Sequence, residues 1–240
     1  MAGATVHGVD KVARPNYCGE SFTQMDAIYA LLELKSAGDL AGTGRPDLVH
    51  ASCPCQAGCT LTNGTNKANG WGAEHDQLVP ETRRLLDLIG IPYVLEQPTG
   101  HGGLIRTDLR LCMDMHEMRG PIFPPWVQRH RDFEFGNWPD LRQFGYAESL
   151  PAQPKHRKHR GYVRGMRHGV LRDGPYVAAY GSGGGKATVV EMQHALGIDW
   201  TSEREELTEA IPPAYTAYIG AIFSNSLGRI TMPAPDLPVL

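Results

Sequence analysis

Asp47-Leu-Val-His-Ala-Ser-Cys-Pro-Cys-Gln56 opens with a run, Asp47 to Ser52, that has few polar positions. Such a run reads as a strand covered on both faces. Upstream, Thr5 to Asp10 and Ser21 to Asp26 are two more β-prone runs. Ala27 to Leu34 is apolar enough for a helix, closed by Ser36-Ala-Gly38. Downstream, residues 56–75 are rich in Gly, Asn and Thr without a hydrophobic period and read as a long loop, a feature that is usually functional or disordered. Asp76 to Ile89 carries Leu78, Val79, Thr82, Leu85, Leu86 and Ile89 at helical spacing, and Gly90 stops it. Pro92 to Glu96 and Arg131 to Phe135 complete the strand candidates. Strand and helix alternate, which predicts an α/β fold with a largely parallel sheet.

From about residue 139 to 190 the composition shifts to Pro, Gly, His and Arg. Lys155, Arg157, Lys158, Arg160, Arg164, Arg167 and Arg172 lie within 155–172, which holds no Asp or Glu. The chain as a whole has a formal net charge of −3, which argues against a general nucleic-acid binder. This one segment nevertheless carries a local field able to attract phosphates. Glu203 to Phe223 returns to helix-like patterning, interrupted at Pro212-Pro213, and the Pro-rich tail from Met232 reads as loosely ordered.

With 41% hydrophobic and 20% charged residues, a buried core is expected and global disorder is not. No apolar run approaches the roughly 20 residues needed to span a bilayer, and no secretion signal opens the chain. A cytoplasmic location is the expectation. Five cysteines, an odd number, fit a reducing compartment better than a disulfide framework. Cys53, Cys55 and Cys59 lack the usual second pair of a metal site, and only Cys112 with His116 offers a completion, so no metal is assigned.

Asp10, Cys55 and Glu96 all stand at C-terminal ends of predicted strands, the edge where open α/β sheets bind ligands. Pro54-Cys55-Gln56 after a buried strand resembles the nucleophile motif of the DNA cytosine-5 methyltransferases. Leu95-Glu96-Gln97-Pro98 resembles their Glu-Asn-Val motif. Gln128-Arg129-His130-Arg131 is similar to their Gln-x-Arg-x-Arg pattern, one position short. Glu209 to Tyr215 looks like the last motif of the small phage-type members. The motifs follow the family's order over most of residues 5–223.

The resemblance implies a Rossmann-like, S-adenosylmethionine-dependent methyltransferase fold acting on cytosine in double-stranded DNA, in protection, restriction-modification or regulation. It makes Cys55 the nucleophile and Glu96 the acid at N3 of the base. Arg131, with Arg129 as second choice, becomes the contact to the base carbonyl. It assigns Asp10 to the cofactor ribose, Asp26 to the region of its adenine, and Pro54 to the cofactor side of the nucleophile loop. Lys155, Arg157, Lys158, Arg160 and Arg164 become DNA contacts in a small recognition insertion. The expected division is 1–138 catalytic, 139–190 recognition, and 191–240 a returning helix plus tail, with no membrane and no obligate protein partner.

The departures from the family are also specific. Its opening strand and Gly-rich cofactor loop would precede Thr5, where four residues stand, so the first strand is expected to be missing. The chain would then begin at an internal methionine of a longer gene, or be a degenerate member acting as a non-catalytic DNA-binding protein. Gly181-Ser-Gly-Gly-Gly-Lys186 follows no clear buried strand and is not taken as a displaced cofactor loop. Cys53 stands for the usual first proline, and Gln97 for the usual asparagine.

Overall fold

The computed structural model describes residues 4–40, 42–55, 77–115, 118, 121–167, 169–180 and 187–228. The predicted loop 56–75, the run Gly181 to Lys186 and the tail lie outside these. The described chain is mixed α/β, with five α-helices and several small sheets. None of its helices is long and apolar enough to cross a membrane. It divides into two compact units, one of residues 5–110 and 131–152, the other of 1–4, 111–130 and 153–240.

In the first unit, β1 (His7–Asp10) pairs in parallel with β2 (Ser21–Gln24). Asp26 then caps α1 (Ala27–Ala37), accepting from the backbone N–H of Ile28 and Tyr29, and Gly38 closes it in the left-handed region. A second sheet has the order β3-β4-β7-β5: β3 (Val49–Ala51), β4 (Tyr93–Pro98), β7 (Arg131–Gly136) and β5 (Leu109–Leu111). The amphipathic run before Gly90 forms α2 (Leu78–Ile89). Its apolar stripe, Val79, Leu85, Leu86 and Ile89, joins Leu31 and Leu34 of α1 and Tyr93 and Leu95 of β4 in one core. Alternation along β4 thus turns Tyr93, Leu95 and Gln97 toward the helices and Val94 and Glu96 to the opposite face.

The expectation of a largely parallel sheet needs correction. β3 and β4 are parallel, but β7 runs antiparallel to β4, so the sheet is mixed. The acids of β7 show why that strand tolerates the interior. Asp132 and Glu134 are almost fully buried, and each is met by guanidinium groups: Arg110 at Asp132, Arg83 and Arg106 at Glu134.

β7 ends at Gly136, opposite Tyr93. A Cβ at Gly136 would lie 1.9 Å from Cζ of Tyr93, a ring 2% exposed whose hydroxyl donates to Asp87 at 2.8 Å. Gly136→Ala is therefore expected to destabilise this unit by about 1–3 kcal/mol, read from urea denaturation. Unchanged stability would mean that the Tyr93 ring is not fixed there.

In the second unit, β6 (Trp126–Val127) and β10 (Tyr176–Val177) form a short parallel pair, and β8 (Gly165–Arg167) and β9 (Val170–Arg172) a hairpin ladder. Three helices follow. A Thr188/Glu191 capping box opens α3 (Val189–Leu196). Then come α4 (Arg204–Glu209) and α5 (Pro213–Ser226), with Pro213 in the first turn where a missing N–H is harmless. The interruption expected at Pro212-Pro213 is the break between α4 and α5.

The division differs from the expected catalytic, insertion and tail segments. Residues 111–130 cluster with 153–240 rather than with the β3-β4 sheet. Long-range ties explain this grouping. Arg129 donates to the carbonyls of Ala179 and Thr208, and Tyr215 of α5 donates back to the Arg129 carbonyl.

Candidate active site

The parallel register Ala51↔Leu95 sets the ends of β3 and β4 side by side. The chain leaving β3 therefore delivers Cys53, Pro54 and Cys55 to the same sheet edge as Glu96 and Gln97. Gln97, fully buried, donates from Nε2 to the Cys53 carbonyl at 2.7 Å and ties the loop to β4. Gln97 thus fixes the base of the loop that carries Cys55.

The two cysteines differ. Cys53 packs against the helix-side core and lies 3.5 Å from the Thr82 hydroxyl. Burial pushes its thiol up, against the opposing pull of the Thr82 hydrogen bond and the Arg83 charge. A thiol so placed is a poor nucleophile. Cys55, beyond Pro54, is half-buried and free of any disulfide.

Glu96 is 5% exposed. It stands opposite Phe133 of β7, and Arg131 lies two residues from Phe133 on the same face. That makes Arg131 the diagonal neighbour of Glu96, within reach of a long side chain. Its Nε sits 2.6 Å from Glu96 Oε1. Arg129 points elsewhere, donating to the two backbone carbonyls named above, so its role in the fold is to tie segments of the second unit together.

Asp10 ends β1, where its carboxylate accepts from the Val12 N–H and from Arg14 Nε, both at 2.9 Å. Asp26 is the helix cap of α1, with Oδ1 taking both backbone bonds.

In the basic segment, Lys155, Arg157, Lys158 and Arg160 are exposed. Arg160 stacks on Trp126 with its guanidinium carbon 4.3 Å from the ring centroid. Arg157 and Arg160 line a cavity of about 270 Å³ with Trp126, Met113 and Asp114. Arg164 is instead bound to Glu191 at 2.5 Å, which holds that carboxylate below its ordinary range. It is thus drawn into the α3 cap rather than displayed with the others.

One grouping has no counterpart in the sequence reading. Cys112, His130, His156 and His159 offer ligand atoms that all lie within 4.8 Å of one another. The legible signal was the His156-x-x-His159 spacing, hidden inside a run read for its charge. His130 was hidden inside the Gln-Arg-His-Arg motif. The alternative partners Cys59 and His116 lie outside the described residues. Comparison with known proteins gives no match, either to a family or to a curated sequence.

Proposed function

We propose that this chain transfers a methyl group from S-adenosylmethionine to C5 of cytosine in double-stranded DNA, through a covalent adduct on Cys55. The observation that carries the reading is the convergence at one sheet edge. The Cys55 loop is anchored by Gln97, and Glu96 next to that anchor is buried and paired with Arg131 at 2.6 Å.

Cytosine C5 is a weak nucleophile, and a thiolate adding at C6 makes the ring enamine-like. In this reading the Cys55 sulfur forms that bond and the electron pair moves toward N3. Glu96 delivers a proton to N3. Arg131 turns from Glu96 to the base carbonyl and offsets the charge that develops there. Once C5 carries the methyl group, with the spent cofactor leaving as its neutral thioether, the C5 proton would pass to water, the N3 proton would return to Glu96, and the Cys55 sulfur would be expelled to release the product base. The cytosine must leave the duplex to reach this edge. Arg157, Lys158 and Arg160 hold phosphates meanwhile, and the Trp126 indole beside Arg160 offers a stacking face.

The cofactor supplies an electrophilic methyl group. Asp10 fits the ribose hydroxyls: it ends β1 at the sheet edge, and its carboxylate meets Arg14 in a half-exposed pair that contributes on the order of 1 kcal/mol or less. Asp26 fits the nucleoside region at the head of α1. Among the described residues no ladder joins β1 to β3, where the resemblance implies a central strand with its cofactor loop. This break favours a second reading, a DNA-binding protein of the same descent without turnover.

Calorimetry and trapping separate the two. Saturable binding of S-adenosylmethionine, together with a stable adduct on duplex DNA carrying 5-fluorocytosine, is expected for the enzyme. DNA binding with no heat at millimolar cofactor and no adduct would replace it by the second reading.

A further inference from the structure

We propose that Cys112, His130, His156 and His159 form a structural zinc site in the second unit, independent of the methyltransferase reading. The donor set is one thiol and three imidazoles, which suits a borderline-soft divalent ion in tetrahedral coordination. With zinc–nitrogen and zinc–sulfur bonds of ordinary length, the edges of such a tetrahedron measure roughly 3.3–3.6 Å. The four ligand atoms already lie within 4.8 Å of one another, and the His130 and His156 Nε2 atoms are 3.2 Å apart. Closing the remaining edges needs only small side-chain movement.

The ring arrangement points the same way. His130 and His156 are nearly parallel, 10° apart, while His159 stands edge-on to both at 89°. Mere stacking does not require a third imidazole turned across the other two with a cysteine beside them. Cys112 is fully buried, so the thiol is enclosed on the protein side while the histidines close the outer side.

A carboxylate behind the cluster has the geometry that orients a metal-bound histidine. Asp114 Oδ2 lies 2.5 Å from His159 Nδ1, which assigns the ring proton to Nδ1 and leaves the Nε2 lone pair for an ion. Asp114 is itself fixed. Its Oδ2 accepts from the hydroxyl of Tyr176 at 2.6 Å, and that oxygen accepts from the Arg160 N–H at 3.0 Å. The backbone is also arranged in advance. Met115 bridges to His156, Arg157 N–H donates to the Asp114 carbonyl, and Met115 N–H turns back to the Cys112 carbonyl.

Four protein ligands leave no open position for water, so the site is structural rather than hydrolytic. Residues 151–164 contain almost no regular secondary structure. An ion joining His156 and His159 to Cys112 and His130 would supply the cohesion that strands or helices give elsewhere. It would thereby fix the segment that displays Arg157, Lys158 and Arg160.

The test uses the full-length untagged chain, reconstituted with zinc and dialysed, with metal measured by mass spectrometry. One zinc per chain is expected. The cobalt form should show tetrahedral d–d bands in the visible and a thiolate charge-transfer band in the near ultraviolet. Cys112→Ser should lose the charge-transfer band, and the exposed His156→Ala with His159→Ala should lose the ion. Asp114→Asn, which removes no ligand, should weaken zinc binding by about 10–100-fold in chelator competition while circular dichroism reports an unchanged fold. A reconstituted wild-type chain without zinc would overturn the proposal. So would an ion that survives the double histidine substitution, since it would sit elsewhere, or an affinity indifferent to Asp114→Asn.

Discussion

Cys55→Ser should abolish the covalent adduct with duplex DNA carrying 5-fluorocytosine, with methyl transfer falling to the detection limit, while DNA binding stays near wild type. A hydroxyl is far less nucleophilic than a thiolate at neutral pH, and among the described residues the neighbouring thiol is a poor replacement: Cys53 packs into the helix-side core, where burial pushes its thiol up. Glu96→Gln should retain the adduct geometry but slow its formation by about 10²–10⁴-fold, because an amide occupies the same space without a transferable proton. Arg131→Lys should give a smaller loss, since the ammonium keeps the charge but not the planar reach across the diagonal to Glu96. The three variants together test an arrangement rather than a motif. Denaturing electrophoresis of the trapped complex checks the first, and single-turnover kinetics the other two. An adduct undiminished in Cys55→Ser removes the nucleophile assignment. A Glu96→Gln chain as fast as wild type removes the acid.

The elements that the sequence announced are those whose burial is local and periodic. α2 was legible because Val79, Leu85, Leu86 and Ile89 repeat at helical spacing and Gly90 ends the helix in the left-handed region. β3 and β4 were legible because their apolar runs are bounded by turn residues. Strands of two or three residues, such as β6, β10 and β5, are too short to carry a period. Their place depends on partners far along the chain: Tyr176 pairs with Trp126, fifty positions away. The same limit hid the composition of the second unit, because the bonds from Arg129 to Ala179 and Thr208 leave no local pattern. Of the site, Cys55, Glu96 and Arg131 were named from short motifs. The bond from Gln97 to Cys53 has no such signature, because it joins residues 44 positions apart. Cys112, His130, His156 and His159 are not legible as a group because only His156 and His159 are near neighbours in sequence, and proximity in the fold alone joins them to Cys112 and His130.

Glu134→Ala should destabilise the first unit by on the order of 3 kcal/mol at neutral pH, the largest stability loss expected from any single side chain discussed above. Glu134 is fully buried at the centre of β7 and accepts from Arg83 Nε and Nη2 at 2.7 and 2.8 Å, from the Arg106 N–H at 2.7 Å and from Arg106 Nη1 at 3.2 Å. Truncation to alanine strands the Arg106 amide and leaves two guanidinium groups without their shared anion. The figure stays at the low end of what breaking a buried pair costs, because Arg83 and Arg106 are partly solvated and turn toward water. Acid provides an independent check. Burial alone would push this carboxyl up, but the Arg83 hydrogen bonds, the Arg106 amide and both charges outweigh it and hold the group below its ordinary value. A carboxyl depressed in the folded state contributes its full stability above the ordinary carboxylate range and loses it as pH falls through the folded value. The wild-type unit should therefore lose stability as the pH falls through and below the ordinary carboxylate range, and Glu134→Gln should flatten that slope because it has no proton to take up. Urea midpoints across this range decide the matter: a Glu134→Gln chain with the wild-type acid slope, or a Glu134→Ala chain as stable as wild type at pH 7, would mean that the Arg83 and Arg106 contacts carry no net stabilisation.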